Sequence, residues 1–386
     1  LTVMIVGLAM GTTVSVGQAV GAGDRRRAAL DIGNTVTLFM AVSLALTALL
    51  LLLVRPIVSV MSTPEEAVRG TIAYLTICFL GIPFITAYNI LGSIFQGLGD
   101  SKSPMYYLLT SGIVNVILNL FLVICFHLGV SGVAIATVIS NVLSAALVIH
   151  HLRKREDEFQ FCFSRMCINK SELSKVLAIG IPAGIQGAIF SVSNVFIQSG
   201  INSFGEDAIA GSSLALNFEY FTYDIAAAFA QAAVTFTSQN FGAGNLKRCK
   251  KVFWLCMLFG MGFTELLSIV FMIWDDFFVS IYTTSAEVAA FGLIRMHRVC
   301  SLEGLTATYE VESAALRGMG KSLEPSIITI LGTVVFRMIW LATIFKMVPT
   351  FDMLMNVYVA SWIFTGSAIL IVYLLHMKKL EAKRAV

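Results

Sequence analysis

The sequence predicts an all-α polytopic membrane protein made of two six-helix bundles related as parallel repeats. Three observations predict it. The 386 residues are 57% hydrophobic and 13% charged, with mean hydropathy +0.85, whereas a soluble domain is about one-quarter charged. Apolar runs of about 20 residues, each able to cross a ~30 Å hydrocarbon core, recur along the whole chain. The chain also matches itself at one offset of 221 positions, which marks an internal duplication. Short alternating segments of the kind a membrane β-barrel needs do not dominate.

In chain order, the first helix is already under way at Leu1, runs to about Val20 and ends in the turn GAGDRRR, Gly21–Arg27. Further spans are read at about 36–54, 70–97, 105–127, 130–151, 175–200, 208–240, 252–274, 288–316, 326–347 and 353–376, which makes eleven. Residues 82–104 and 303–325 are the clearest repeat pair: Tyr88 matches Tyr309, Gly97 matches Gly318, Gly99 matches Gly320, Ser101 matches Ser322 and Pro104 matches Pro325. The same offset pairs Gly21-Ala22-Gly23 with Gly242-Ala243-Gly244, Gln18 with Gln239, Arg27 with Arg248 and Thr63 with Thr284. The helix at 175–200 has its repeat partner before residue 1. The expectation is therefore that span one and part of span two are missing here, and that a complete chain has six spans per half.

The basic residues divide by side. The loops at 21–27, 100–104, 152–175, 242–251, 317–325 and 377–384 hold 20 of the 26 Lys and Arg, so the positive-inside rule makes them cytoplasmic. This puts the carboxy terminus and the inter-lobe loop inside a plasma (inner) membrane. The expected organisation is an amino-terminal lobe at 1–151, a cytoplasmic loop at 152–174 and a carboxy-terminal lobe at 175–386.

Acids inside spans are the main functional signal, because a charge at mid-membrane costs about 2.5–3.5 kcal/mol on insertion scales. The first half reads as having none in spans three to six. The second half carries Glu219 and Asp224, Glu265, and Glu303, Glu310 and Glu312, with Arg295, His297, Arg298 and Arg337. Glu303, Thr306 and Glu310 fall on one helical face, as do Glu219 and Tyr223. Two readings compete for these acids: a proton or sodium site lining a cavity, or a clamp between helices through pairs with Arg298 or Arg337. The coupling candidates are Glu310, Glu219, Glu303 and Asp224. Tyr223, Thr306, Tyr309 and Asn89 are cavity candidates, and Arg337 reads as a structural partner for one of the acids. Pro83 and Pro182 mark bending points; Pro83 matches Gly304 at the repeat offset, and breaks at corresponding helices point towards a transport site.

Other chemistries find little support. Cys162 and Cys167 have no histidine beside them, so no metal site is read there. The GAGD and GAGN turns lack a strand before them and a Walker lysine, so they are not phosphate loops. No nucleophile–base spacing appears, and the chain reads as a transporter and not an enzyme, without nucleic-acid partners.

The GAG[DN] turns after spans two and eight, QGLGDSKSP and RGMGKSLEP after spans four and ten, and GIPAGIQ in span seven resemble the multidrug and toxic compound extrusion (MATE) transporters. The resemblance runs over essentially the whole chain. It implies two bundles around a cavity that opens alternately to each side. It further implies export of organic cations or amphipathic drugs against inward H⁺ or Na⁺, by a monomer among membrane lipids with no cofactor beyond the coupling ion. Glu310 resembles the span-ten acid of bacterial relatives, and Glu219 their span-eight acid. Some relatives have an aspartate where Thr306 stands. Two alternatives accompany this reading: a lipid-linked substrate flippase of the same superfamily, which needs a large basic cavity, and a nonfunctional truncated membrane protein.

Overall fold

A computed structural model of the chain describes residues 2–60, 65–154 and 168–383. Among these, every regular element is helical. The order is α1 (Thr2–Gly21), α2 (Arg25–Val60), α3 (Glu65–Gly97), α4 (Lys102–Leu120), α5 (Gly129–Lys154), α6 (Lys170–Asn202), α7 (Glu206–Gly242), α8 (Leu246–Ile273) and the short α9 (Asp275–Ser280). Then come α10 (Ala286–Val299), a 3₁₀ turn over Cys300–Leu305, α11 (Thr306–Gly318), α12 (Leu323–Thr329), α13 (Phe336–Ala342), α14 (Ile344–Met347) and α15 (Phe351–Ala382). Nine stretches among the described residues are long and apolar enough to cross a membrane. Two rods outside that set, α7 and α10–α11, hold all the span acids of the second half except Glu265.

The chain divides into two compact units, residues 4–177 and 178–386 apart from the first three residues. In the amino-terminal unit α3 packs on α2 and α5, and α4 on α5. Its core joins Val16, Ile32, Val36, Phe39, Ile94 and Phe95. In the carboxy-terminal unit α7 packs against α8, α10 and α11, with Phe218, Phe271 and Met296 in its core. Residues 155–167 of the expected inter-lobe loop, including Cys162 and Cys167, lie outside the described residues, as does Thr63. No group of three or more His, Cys, Asp or Glu able to hold a metal occurs among the described residues.

The repeat is visible in backbone detail within each unit. After α1, Ala22 N–H donates to Gln18 O and Asp24 N–H to Ala19 O; after α7, Ala243 donates to Gln239 O and Asn245 to Asn240 O. The turn glycines Gly23 and Gly244 have φ of 74° and 72°, a left-handed conformation that a Cβ disfavours. The Asp24 and Asn245 side chains then accept from the N–H of Arg27 and Arg248, capping the next helix. At the ends of α3 and α11, a Cβ on Gly97 would lie 2.9 Å from Val16 and one on Gly318 2.9 Å from Thr237. Each glycine lets its helix approach the helix at the matching repeat position, α1 or α7.

Two sequence expectations need correction. α2 begins at Arg25 and not near residue 36, because its first turns are polar and fall outside any hydropathy window. The first half therefore does contain a span acid, the fully buried Asp31. Pro83 and Pro182 also lie inside continuous helices, α3 and α6, and do not interrupt them. Proline removes one backbone donor, and a long membrane helix absorbs that loss. The matched break is present only at the Gly304 end, where Leu302 leaves helical geometry (φ −137°, ψ 26°).

α7 and α10 approach closely at glycines. A Cβ on Gly211 would collide with the Val288 carbonyl oxygen and stand 2.8 Å from Gly292 N. Gly211→Ala is expected to force these helices apart and lower stability by about 1–3 kcal/mol, the range for overpacking, measured as thermal loss of monodisperse protein in detergent.

Candidate ion-coupling site in the carboxy-terminal unit

The break between α10 and α11 organises the site. Where the helix stops, backbone donors lose their partners, and in a membrane they must find others. Glu265 on α8 supplies one: its Oε2 accepts from Gly304 N–H at 3.0 Å. Thr306 Oγ1 donates to the Glu303 carbonyl at 2.6 Å. Both side chains thus stabilise the break, and the Thr306 hydroxyl is committed to backbone.

On one side of the break stands a desolvated ion pair. Arg295 of α10 donates from Nε to Glu219 Oε1 at 2.5 Å and from Nη2 to Oε2 at 2.7 Å. Its Nη1 donates to Ser212 Oγ at 2.6 Å, and its guanidinium lies 5.3 Å from the Tyr358 ring centre. Glu219 and Arg295 are 7% and 3% exposed, so the pair is held by fork geometry and not by water. The expected partners of the acids, Arg298 and Arg337, are elsewhere. Arg298 pairs with Asp352 at 2.8 Å and His297 with Asp275 at 2.7 Å. Arg337 donates to Ser361 Oγ at 3.1 Å and rests on the Tyr358 and Phe190 rings at 4.7 and 5.4 Å. It is a buried cation held by π faces and one hydroxyl, not by a carboxylate, and its Nη1 has no hydrogen-bond partner.

Glu303 sits in the 3₁₀ turn beside this pair. It is buried, its Oε2 has no hydrogen-bond partner, and the charges acting on it are Glu219, Arg295 and Glu265. Glu310, two turns on, faces a different group. Its Oε1 accepts from Tyr223 O–H at 2.9 Å, and Arg317 is the cation acting on it. Glu303 thus lies in the 3₁₀ turn and Glu310 in α11, each with its own partners. Tyr309, buried, feels Glu310, Arg337 and Glu303 together. Glu312 is also buried with an unpartnered Oε2.

The MatE family model matches residues 1–121 and 182–343 of the chain. The chain belongs to the MatE family. This MATE transporter is 27% identical over 340 residues to the probable multidrug resistance protein YoeA of Bacillus subtilis, covering 84% of this chain and 72% of the relative. It is 25% identical to the probable multidrug resistance protein NorM of Thermotoga maritima, covering 91% and 76%. A crystal structure of MATE in complex with MaL6 superposes with TM-score 0.93 at 19% identity, over 99% of this chain and 86% of that one; that likeness shows the fold.

Not every candidate joins the MATE site. Asp224 is exposed on α7, one residue past Tyr223, and is not buried with the other acids. Asn89 is half-buried in the amino-terminal unit, and its amide donates to Ile85 O at 2.8 Å. Arg295 was visible in the sequence but had no assigned role. The signal that singles it out is periodicity: Gly292, Arg295, Met296 and Val299 form the buried stripe of α10, and His297 and Arg298 fall off it.

Proposed function

We propose that this MATE transporter exports cationic or amphipathic small molecules by alternating access, in exchange for H⁺ or Na⁺ taken up at Glu303 and Glu310. The observation that carries this is Glu303: a buried carboxyl with an open oxygen, beside a Glu219 already neutralised by Arg295. A carboxylate in that position is costly until a cation binds it, so occupancy changes the charge of the unit by one. Glu310, hydrogen-bonded to Tyr223, gives a second carboxyl two turns further along, and both acids act on Tyr309. In this reading Glu219 positions Arg295 and does not itself exchange the ion. The multidrug names of the relatives support the substrate class. The distribution of basic loops supports a plasma-membrane orientation with the carboxy terminus inside.

The test is ethidium efflux from cells stripped of their own exporters. Expression of the chain is expected to accelerate efflux, and collapsing either the proton or the sodium gradient, but not both alike, is expected to remove the gain. Efflux unchanged by expression, or indifferent to both gradients, contradicts the reading.

A further inference from the structure

The acid on α2 stands outside the site just described. Asp31 is fully buried. Its Oδ2 accepts from Ser15 Oγ of α1 at 2.6 Å, and its Oδ1 has no hydrogen-bond partner. Charged groups act on it from two elements: Arg27 on its own helix, and Glu172 and Lys175 on the first turns of α6. The cations among them are already engaged with Glu172. Arg27 Nε donates to Glu172 Oε2 at 3.1 Å, and Lys175 Nζ donates to both Glu172 oxygens at 2.8 and 2.9 Å. The buried amide one turn along the helix is engaged too: Asn34 Oδ1 accepts from Asn169 N–H. Asp31 is therefore a buried carboxyl that makes no direct ion pair, the two cations acting on it both being bonded to Glu172.

Two further hydroxyls follow on the same helix faces. Thr35 lies one turn along α2 from Asp31, and Thr12 one turn along α1 from Ser15, so each stacks over its neighbour. The hydroxyls of both threonines are buried and unpartnered. Two carboxylate and three hydroxyl oxygens on these two helix faces are the donor types that a hard cation takes. We propose that Asp31 is a second cation site in this transporter, in the amino-terminal unit, taking a proton or a sodium ion with Ser15, Thr12 and Thr35 as its oxygen neighbours. The site is independent of the acids around Glu303.

The experiment uses the full chain purified in detergent, with Glu303→Gln, Glu310→Gln and Glu312→Gln in place so that the unpaired acids of the carboxy-terminal unit are silent. Its unfolding temperature is followed against sodium chloride, with choline chloride holding ionic strength, and separately against pH. A bound ion stabilises in proportion to the logarithm of its concentration. Sodium-dependent stabilisation that Asp31→Asn abolishes identifies a sodium site. Dependence on pH alone, abolished by the same change, identifies a proton site. Because Asp31→Asn can impair folding, Ser15→Ala provides a second arm. It keeps the carboxyl and is expected to weaken sodium binding about tenfold, or to move the pH midpoint by about one unit. Cation dependence that survives Asp31→Asn, a background with none to lose, or a midpoint unmoved by Ser15→Ala overturns the proposal.

Discussion

Arg295→Met is expected to be among the most destabilising single changes in this protein. It leaves Glu219 in a site without water, stripped of two charge-assisted bonds, and takes the donor from Ser212. Breaking a buried pair by deleting one partner costs about 3–5 kcal/mol. Arg295→Lys is expected to fail nearly as badly, because an ammonium cannot make the fork that holds both carboxylate oxygens. The change that should restore stability is a second one. Removing Glu219 together with Arg295, as Glu219→Leu with Arg295→Met, replaces the pair by apolar groups, an exchange that is often neutral or better. Thermal melting in detergent of the two single variants and the double variant gives the coupling energy directly. A double variant no more stable than Arg295→Met alone would show that the pair is not what joins α7 to α10.

Glu303→Gln and Glu310→Gln are expected to have the opposite profile, with little change in stability and a large loss of coupling. Glutamine keeps the shape and removes the charge. Glu303 Oε2 makes no bond that its replacement must reproduce, and at position 310 an amide oxygen still accepts from Tyr223. What disappears is the ability to bind a cation and release it. Drug binding by either variant is expected to persist, measured as quenching or anisotropy of a bound dye, while uphill movement fails. Loss of dye binding in step with transport would instead place these glutamates among the substrate contacts.

Much of this molecule was legible before its structure. Hydropathy marks nine of the long helices among the described residues, and the acid-bearing α7 and α10–α11 fall outside it because charge lowers their apolarity. The repeat found the turns, because Gly23 and Gly244 occupy the same left-handed conformation. Other features were not legible, for specific reasons. Asp31 escaped notice because three arginines precede it and the hydropathy signal starts only afterwards, yet helix geometry reaches back to Arg25. Spacing alone could not choose among Arg295, Arg298 and Arg337 as the partner of Glu219, since the bond joins residues 76 positions apart. Spacing also could not show that Glu303 sits in a 3₁₀ turn and Glu310 in the α-helix after it. Pro83 and Pro182 read as breaks because proline lacks a donor; whether a helix continues past one depends on its surroundings, which the residue itself does not encode.

The central claim is that Glu303 and Glu310 couple ion entry to substrate exit. The most direct measurement is the steady-state substrate gradient held by proteoliposomes of the full chain under an imposed pH or sodium gradient. Each pH unit, or each tenfold ratio of sodium, sustains about a tenfold substrate gradient per ion exchanged for a neutral substrate or one of matching charge. The wild-type chain is expected to build a gradient that tracks one of the two ions, and the Glu303→Gln, Glu310→Gln double variant to hold none while still exchanging labelled substrate at equilibrium. A double variant that holds the wild-type gradient would contradict the account.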